Sequence, residues 1–254
     1  MLRSRIIPCL LVHKKGLVKT VNFKDSKYVG DPINAVKIFN EKEVDELIVL
    51  DIDATKEKRG PDFTLIRNLA AECRMPFCYG GGVSTVEQAR KIISLGAEKV
   101  ALSSAVVENP LLCAEIGVAV GVQSVVVVLD VKKRKLLGGY DIYTHNGKVK
   151  SKRKFKEFVV ELNKIGVGEI VINSIDKDGK MSGYDMDLAS TVRDLCDTPI
   201  TILGGAGTLD HIKSLISKFK IIGAAAGSLF VFKGKYRAVL INYPNREEKF
   251  PLYK

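Results

Sequence analysis

Two β-rich segments end at equivalent positions, and one of them ends in a carboxylate that could carry a proton. Segment 123–131 (QSVVVVLDV) leads to Asp130 at the carboxyl end of a predicted strand, whereas segment 5–12 (RIIPCLLV) has Leu11 at that position. Two opposed carboxylates can act as general acid and base, and a hydrocarbon cannot replace either of them. The sequence therefore predicts a site for acid–base chemistry in which one proton carrier is missing.

Two glycine clusters form a second chemical signal, because each follows a predicted strand and opens a helix. They are Gly80–Gly82 and Gly204–Gly207, and the strand after each ends in small residues, Ser103-Ser104 and Gly227-Ser228. Glycine lets a ligand approach the backbone, and a helix N-terminus offers free N–H groups to an anion. The clusters predict two phosphate sites for a diphosphorylated or two-ended ligand. The alternative is that they only form tight turns between strand and helix.

The elements that position these residues are short β-rich runs that alternate with amphipathic helices. Asp31-Pro32 is a helix start, Ser84 and Glu87 have capping-box spacing, and Gly96 is placed to end that helix. Strands that alternate with helices imply a parallel sheet, and eight of them imply a closed (β/α)₈ barrel, the TIM barrel of the α/β class. The predicted strands are 5–12, 46–52, 76–80, 98–103, 124–130, 169–174, 199–204 and 220–226.

An internal repeat strengthens the barrel prediction. Segment 40–53 (NEKEVDELIVLDID) matches segment 163–176 (NKIGVGEIVINSID), and GGGV at 80–83 matches GGAG at 204–207. The repeat predicts two tandem half-barrels, at about 1–122 and 123–232, within one domain that spans 1–254. The remaining tail, 233–254, should be irregular because its two prolines interrupt any continuous helix.

Composition limits the class of protein. With 46% hydrophobic and 27% charged residues the chain is typical of a soluble globular protein, and no apolar run approaches the roughly 20 residues that span a bilayer. The amino terminus lacks a signal-peptide pattern, so we expect a cytoplasmic protein. The five cysteines form no CxxC pair, and the three histidines lack metal-ligand spacing. We therefore expect reduced thiols, histidines at the surface, and neither a metal nor a cofactor.

The net charge of +11 is concentrated in one part of the chain. Ten lysines and arginines lie between Lys132 and Lys156, against the single acid Asp141. This stretch is either a solvated hairpin and helix face or a rim that attracts a phosphorylated or nucleotide-linked substrate. No nucleic-acid recognition motif accompanies the charge, so nucleic acid is not an expected partner.

Several motifs, in order between Arg5 and Phe232, together resemble one enzyme family. They are RIIPCL, LDID, YGGGV, KVALSSAVVENP, SIDKDGKMSGYD and GGAG. The family is HisF, the cyclase subunit of imidazole glycerol phosphate synthase. The resemblance implies a partner glutaminase that releases ammonia, which crosses the barrel to meet a ribulosyl aminoimidazole-carboxamide nucleotide. Two aspartates then act as general acid and base in ring closure.

The resemblance assigns roles to residues of this chain. Asp130 matches one catalytic aspartate, Leu11 occupies the place of the other, and Lys19 matches a lysine on the mobile first loop. The implied phosphate positions are Gly82, Ser103, Ser104, Asp176, Gly179, Gly205 and Ser228.

At the amino-terminal mouth the resemblance implies a charged gate for ammonia. All four of its residues have matches here: Arg5, Glu46, Lys99 and Glu169. The alternative is a salt-bridge ring that only closes the bottom of the barrel. Glu98, beside the gate, is either a contact for a partner lysine or ordinary surface charge.

Leu11 and the proline-containing tail also resemble a HisF-like branch named WbuZ, which is found with a HisH-like glutaminase and a sugar amidotransferase. This resemblance implies a barrel that docks the glutaminase and passes ammonia for amidation of an acetamido sugar in surface-polysaccharide synthesis. Two alternatives are a working cyclase that uses Asp130 with a substitute acid, and a non-catalytic scaffold. The sister isomerase HisA is disfavoured, since it also needs an acid at position 11 and the gate residues argue against it.

Overall fold

Aliphatic and β-branched residues dominate the segments that form strands, and helix caps or glycines separate those segments. The computed structural model describes residues 3–136 and 138–253. In chain order its strands are β1 (Arg5–His13), β2 (Gly16–Val21), β3 (Lys24–Gly30), β4 (Leu47–Asp51), β5 (Phe77–Gly80), β6 (Lys99–Leu102), β7 (Val125–Lys133), β8 (Tyr140–Thr144), β9 (Val149–Lys154), β10 (Glu169–Ser174), β11 (Ile200–Leu203), β12 (Gly223–Ala226), β13 (Phe232–Lys233) and β14 (Ala238–Val239).

Helices follow the barrel strands, and side-chain caps fix where several of them start. Asp31, Asp62, Asp185 and Thr208 each accept a hydrogen bond from a backbone N–H of the first turn. The helices are α1 (Pro32–Glu41), α2 (Phe63–Glu72), α3 (Val86–Ser94), α4 (Ser104–Glu108), α5 (Leu112–Val120), α6 (Phe155–Ile165), α7 (Met186–Arg193), α8 (Leu209–Phe219), α9 (Ser228–Val231) and α10 (Arg246–Lys249), with 3₁₀ turns at Val122–Ser124 and Phe250–Leu252.

Eight of the strands are parallel and close on themselves. Their order around the barrel is β1, β4, β5, β6, β7, β10, β11 and β12, and β12 pairs with β1 again. The closing register places Arg5 beside Gly223. This arrangement confirms the predicted (β/α)₈ barrel, and every predicted barrel strand is present with its ends shifted by three residues or fewer.

The alternation of side chains along each strand separates two apolar regions. Ile6, Leu10 and Val12 face outward into the large core between strands and helices. Ile7 and Cys9, on the same strand, face inward and pack with lumen residues of the other strands. Every second side chain of β1, including those of Ile7 and Cys9, therefore lies in the barrel lumen.

Two antiparallel excursions leave the carboxyl ends of barrel strands. β2 and β3 follow β1, and β2 pairs with it from Leu11↔Val18 to His13↔Gly16. In the other half, β8 and β9 continue from β7, with Asp130 opposite Tyr143. Both excursions lie at the end of the barrel where the strands finish, so their residues can cover the mouth.

The tail runs from one end of the barrel to the other. It begins with the β13–β14 pairing, where Lys27 of β3 lies over the Phe232 ring with its Nζ 5.2 Å from the centroid. It ends at the opposite face, where the Tyr253 hydroxyl donates to Asp45 Oδ2 at 2.6 Å. The described part of this segment contains the single α-helical turn of α10, which the 3₁₀ turn Phe250–Leu252 follows.

The structure corrects some local predictions. The capping box of α3 is formed by Thr85 and Gln88, one residue later than the predicted Ser84 and Glu87.

None of the three histidines is fully exposed, and His13 Nδ1 lies 2.7 Å from Asp53 Oδ1. All five cysteines are free thiols. Within residues 3–136 and 138–253, every helix is too short or too polar to traverse a lipid bilayer.

Candidate functional site

The main cavity opens at the carboxyl ends of the barrel strands and has a volume of about 630 Å³. Because all eight strands finish at the same end, residues from both halves of the chain meet there. Of the predicted site residues, those that line this cavity are Leu11, Lys19, Gly82, Ser103, Ser104, Asp130, Gly179, Gly205 and Ser228.

Asp130 is one of the carboxylates that line this cavity. The Asn173 side-chain amide, on the neighbouring strand β10, donates to Asp130 Oδ1 at 2.9 Å. Burial raises the pKa of Asp130 to about 7, and nearby Asp178 adds to that rise while the Asn173 hydrogen bond opposes it. A carboxyl group with this pKa can hold or release a proton at neutral pH, as a general acid or base requires.

Leu11 lies where the partner carboxylate was expected. Its side chain lines the cavity and packs, together with Leu50, against the inward-facing cluster of the lumen. The two leucines are register partners on β1 and β4. An apolar surface therefore continues from the lumen into the cavity on the β1 side, and no proton carrier faces Asp130 from position 11.

Lys19 approaches the cavity from the first excursion. It is a buried residue of β2, and its Nζ donates to the carbonyl oxygen of Cys9. Burial lowers the pKa of Lys19, although Cys9 and Asp178 act in the opposite direction. Gly227 gives this ammonium group its space, because a Cβ at position 227 would collide with Nζ.

Asp178 fastens the first excursion to the second half of the barrel. Its Oδ2 accepts hydrogen bonds from Thr20 Oγ1 at 2.7 Å and from the Phe23 amide at 2.9 Å. Its carbonyl oxygen accepts from the Asn22 amide at 3.1 Å. The loop that carries Lys19 is thus held closed over the cavity by contacts to a segment more than 150 residues away.

In the first half, the glycine cluster sits against a charged loop. Gly82 has a φ of +71°, and an added Cβ would collide with the carbonyl oxygen of Arg59. Arg59 in turn forms an ion pair with Asp51 at the end of β4, with Nη1 2.8 Å from Oδ2. Ser103 and Ser104 begin α4 beside this loop. Free backbone donors and small side chains therefore converge on this part of the cavity.

The second half of the barrel has an equivalent glycine cluster, which different hydrogen bonds hold in place. Gly179 and Gly205 have positive φ values of +67° and +105°, and the Gly205 carbonyl accepts from the Gly183 amide at 2.8 Å. The Gly207 amide donates to His211 Nδ1 at 3.1 Å, which orders the start of α8. Ser228 is buried at the start of α9.

Asp176 is the predicted phosphate position that the structure places elsewhere. It does not line the cavity, and its Oδ2 accepts a hydrogen bond from the Lys133 amide at 2.7 Å. It therefore ties the loop after β10 to the extended end of β7.

Four charged side chains form a closed ring at the opposite end of the barrel. Arg5 pairs with Glu46 and donates to both Glu169 oxygens, at 2.8 and 3.2 Å. Lys99 Nζ lies 2.7 Å from Glu46 and 2.9 Å from Glu169. The structure thus brings together all four predicted gate residues, and each carboxylate contacts both cations.

The ring is electrostatically balanced. Burial alone would raise the pKa of Glu169, but Arg5 and Lys99 outweigh it and hold that pKa below its ordinary value. The Thr201 hydroxyl also donates to Glu169. Glu98 precedes Lys99 on the chain and is exposed, so it is accessible to a partner on this face.

Sequence reasoning missed several residues that shape the site, among them Asn173, Asp178, Arg59 and His211. Asp178 lies within SIDKDG and Arg59 shortly after LDID, so proximity to a motif was an available signal. Asn146 carried no such signal, and its side-chain amide donates to the Ile52 carbonyl at 2.7 Å.

The fold and the cavity define a (β/α)₈-barrel protein whose polar site lies at the carboxyl ends of the strands. Residues 5–237 match the family model described as histidine biosynthesis protein. The chain belongs to this family, among the homologues of imidazole glycerol phosphate synthase subunit HisF.

Three relatives illustrate the range of similarity. A putative imidazole glycerol phosphate synthase subunit from Vibrio vulnificus is 58% identical over 98% of this chain and 96% of its own length. A putative subunit from Pseudomonas aeruginosa is 49% identical over 96% and 97%. The imidazole glycerol phosphate synthase subunit HisF of Streptococcus sanguinis is 40% identical over 91% of each chain.

Proposed function

We propose that this chain is the ammonia-conducting synthase subunit of a glutamine amidotransferase. A HisH-like glutaminase docks on the amino-terminal face, and ammonia enters through the ring of Arg5, Glu46, Lys99 and Glu169. It crosses the apolar lumen and reaches the cavity at the carboxyl ends of the strands. The observation that carries this proposal is the combination of a complete charged ring with a leucine in place of one proton carrier.

The lumen supports passage of a small neutral molecule. The inward-facing cluster between the ring and the cavity consists of aliphatic residues and two thiols, and Leu11 and Leu50 extend it. Passage of neutral ammonia along such a surface costs little desolvation free energy, whereas an ammonium ion would lose its hydration. Leu11 therefore fits a conduit better than it fits a ring-closing active site.

The acceptor that we propose is an acetamido sugar of surface-polysaccharide synthesis, amidated with the help of a sugar amidotransferase. Two features support it: Leu11 and the irregular tail, both of which resemble the WbuZ branch. Amidation of an acetamido group replaces its carbonyl oxygen by the nitrogen of ammonia, and that oxygen leaves on an activating group, such as a phosphoryl group, which the amidotransferase attaches from its own co-substrate. This reaction does not use the acid–base pair that closes an imidazole ring.

The second candidate is imidazole glycerol phosphate cyclisation itself. The names of the relatives favour it, and so does Asp130, whose pKa of about 7 suits proton transfer. In that case a second acid must replace the missing aspartate. The two candidates share the glutaminase and the conduit, and they differ in the reaction at the cavity.

The docking half of the proposal predicts a stable complex with the HisH-like glutaminase of the same organism. Specific interfaces bury roughly 1,200–2,000 Å², which the amino-terminal face of a barrel can provide. We expect binding by sedimentation or calorimetry, together with faster glutamine hydrolysis in the complex. If no glutaminase of the organism binds, the ring is only a structural salt bridge.

Glu98→Lys tests one contact of that complex. If Glu98 meets a partner lysine, we expect affinity to fall about tenfold, since reversal turns an attraction into a repulsion. The matched control is Glu115→Lys, an exposed acid on α5. Equal affinity of the two variants would remove Glu98 from the interface.

The glycine clusters predict anion binding in the cavity. We expect inorganic phosphate to bind the wild-type protein in calorimetry and Gly205→Ala to lose the site in the second half, since a Cβ would collide with the Gly183 carbonyl. Gly138→Ala is the control, because Gly138 also has positive φ but has open space around it. Absence of binding to wild type at high phosphate would leave the loops as architecture only.

A further inference from the structure

The positive charge of the chain is concentrated on one exposed part of the second excursion. We call this surface the basic hairpin and define it as residues 132–136 and 148–156, on β7, β9 and the start of α6. Its exposed cations are Lys132, Lys133, Arg134, Lys135, Lys148, Lys150, Lys152, Lys154 and Lys156.

The basic hairpin lies outside the cavity. None of its residues is among those that line the cavity, to which the described residues of this excursion contribute only His145 and Asn146 of the turn. A small phosphorylated substrate in the cavity would therefore not contact these cations. The cations of the basic hairpin are solvated, which is one of the two interpretations of the sequence. They can contact a partner that is larger than a substrate of the cavity.

The excursion nevertheless sits at the mouth. Its turn reaches across to the first half of the barrel, where Asn146 donates to the carbonyl of Ile52, just after β4. Gly147 packs near the Phe23 ring of the first excursion. A macromolecule bound to the basic hairpin would consequently be held beside the exit of the barrel.

The pattern of charges favours a protein over a uniform polyanion. Acidic side chains lie among the cations: Asp141 contacts both Arg134 and Lys150, at 2.8 and 2.7 Å, and Glu157 contacts Lys154 at 2.9 Å. These ion pairs interrupt the positive surface, so it complements the even charge of a nucleic-acid backbone or an anionic bilayer less well. A folded partner with its own mixed charges can avoid them.

Apolar side chains within the same surface support a protein partner. Leu136 is 81% exposed and follows Lys135, and Val149 is 48% exposed and lies between Lys148 and Lys150. Apolar contacts surrounded by a charged rim are the usual composition of a protein interface. The structure describes no exposed aromatic ring on the basic hairpin that could stack on a base.

We propose that the basic hairpin docks an acidic face of the enzyme that consumes the ammonia, so that its acceptor site faces the exit of the barrel. This inference rests on the proposed function, because it requires ammonia to leave at the cavity. It gives the barrel two docking faces, one for the ammonia source and one for the ammonia consumer. Electrostatic attraction sets the rate and register of docking at the second face.

The test uses the complete protein with its glutaminase and the purified sugar amidotransferase of the same organism. The variant carries Lys135→Gln, Lys148→Gln and Lys152→Gln. The control carries Lys91→Gln, Lys164→Gln and Lys213→Gln, exposed lysines on α3, α6 and α8. Binding of the amidotransferase and amidated product per glutamine hydrolysed are measured at low and high salt.

We expect the hairpin variant to bind the amidotransferase at least about tenfold more weakly at low salt, with ammonia lost to solution, while the control behaves as wild type. Glutaminase binding should be unchanged in both. If wild type supports amidation and the two variants bind the amidotransferase with equal affinity, the hairpin proposal alone is overturned. Absence of amidation from glutamine with wild type would overturn the proposed function as well. Hairpin-dependent binding to vesicles of anionic lipid, without amidotransferase binding, would identify a membrane surface instead.

Discussion

Purified protein supplied with ammonium ions and the phosphoribulosyl aminoimidazole-carboxamide nucleotide is expected to turn over about 10²- to 10⁴-fold more slowly than a relative with both aspartates. The range is the usual contribution of general acid–base catalysis, and here Leu11 leaves Asp130 without the partner carboxylate expected opposite it. The measurement is the initial rate of imidazole glycerol phosphate formation at saturating ammonium, without glutaminase. Turnover equal to that of the relative would contradict the proposed sugar amidation and favour the cyclase.

Leu11→Asp is the complementary change. It restores a carboxylate on the opposite side of the cavity from Asp130, so cyclase activity should rise if the rest of the site is intact. Leu11→Asn is the matched control, since it has the same size and polarity pattern but cannot exchange a proton at neutral pH. A gain that appears in both variants would reflect hydration of the cavity, whereas a gain confined to the aspartate identifies proton transfer.

Arg5→Met is expected to destabilise the protein by about 3–5 kcal/mol, because it leaves buried carboxylates without one of their two cations. Glu46 and Glu169 are only 3% and 4% exposed, so water cannot replace the guanidinium. Chemical denaturation at pH 7 measures the change. The control is Arg134→Met, which removes a largely exposed partner of Asp141 and should cost about 1 kcal/mol or less.

The difference in stability between wild type and Arg5→Met should also depend on pH. Arg5 and Lys99 overcome the effect of burial and lower the pKa of Glu169, so its ionised form stabilises the fold above its unfolded-state pKa of roughly 4.3. That contribution is lost as the pH falls through the lower folded-state value. Without Arg5 the pKa of Glu169 rises, and the difference between wild type and variant should shrink as the pH falls from 7 towards 4. A difference that stays constant would exclude charge as its cause.

The barrel could be predicted because the sequence patterns that specify it lie in short segments and occur in both halves of the chain. The run that ends in Asp130 has the β-branched residues of a buried parallel strand, and the matching offsets of the two halves fix the register of the whole. The same regularity placed Leu11 and Asp130 at one end, and the resemblance to HisF placed Arg5 and Glu169 at the other. Inward or outward orientation then follows from alternation along each strand.

The contacts that complete the site could not be predicted, because they join distant segments through single hydrogen bonds. Asn173 bonds Asp130 across neighbouring strands, and Asp178 binds Thr20 from the other half of the chain. Nothing in the local sequence of either partner specifies the other. The displaced capping box has a different reason: Ser84 and Thr85 are both good caps, and Gln88 reaches both backbone amides.

The tail that ends at Asp45 has a consequence for the face that carries the charged ring. Asp45 Oδ2 accepts from both the Ile6 amide and the Tyr253 hydroxyl, so the first strand and the last described residues meet at that face. A partner bound there would lie beside both segments, and its binding would reinforce the contact between them.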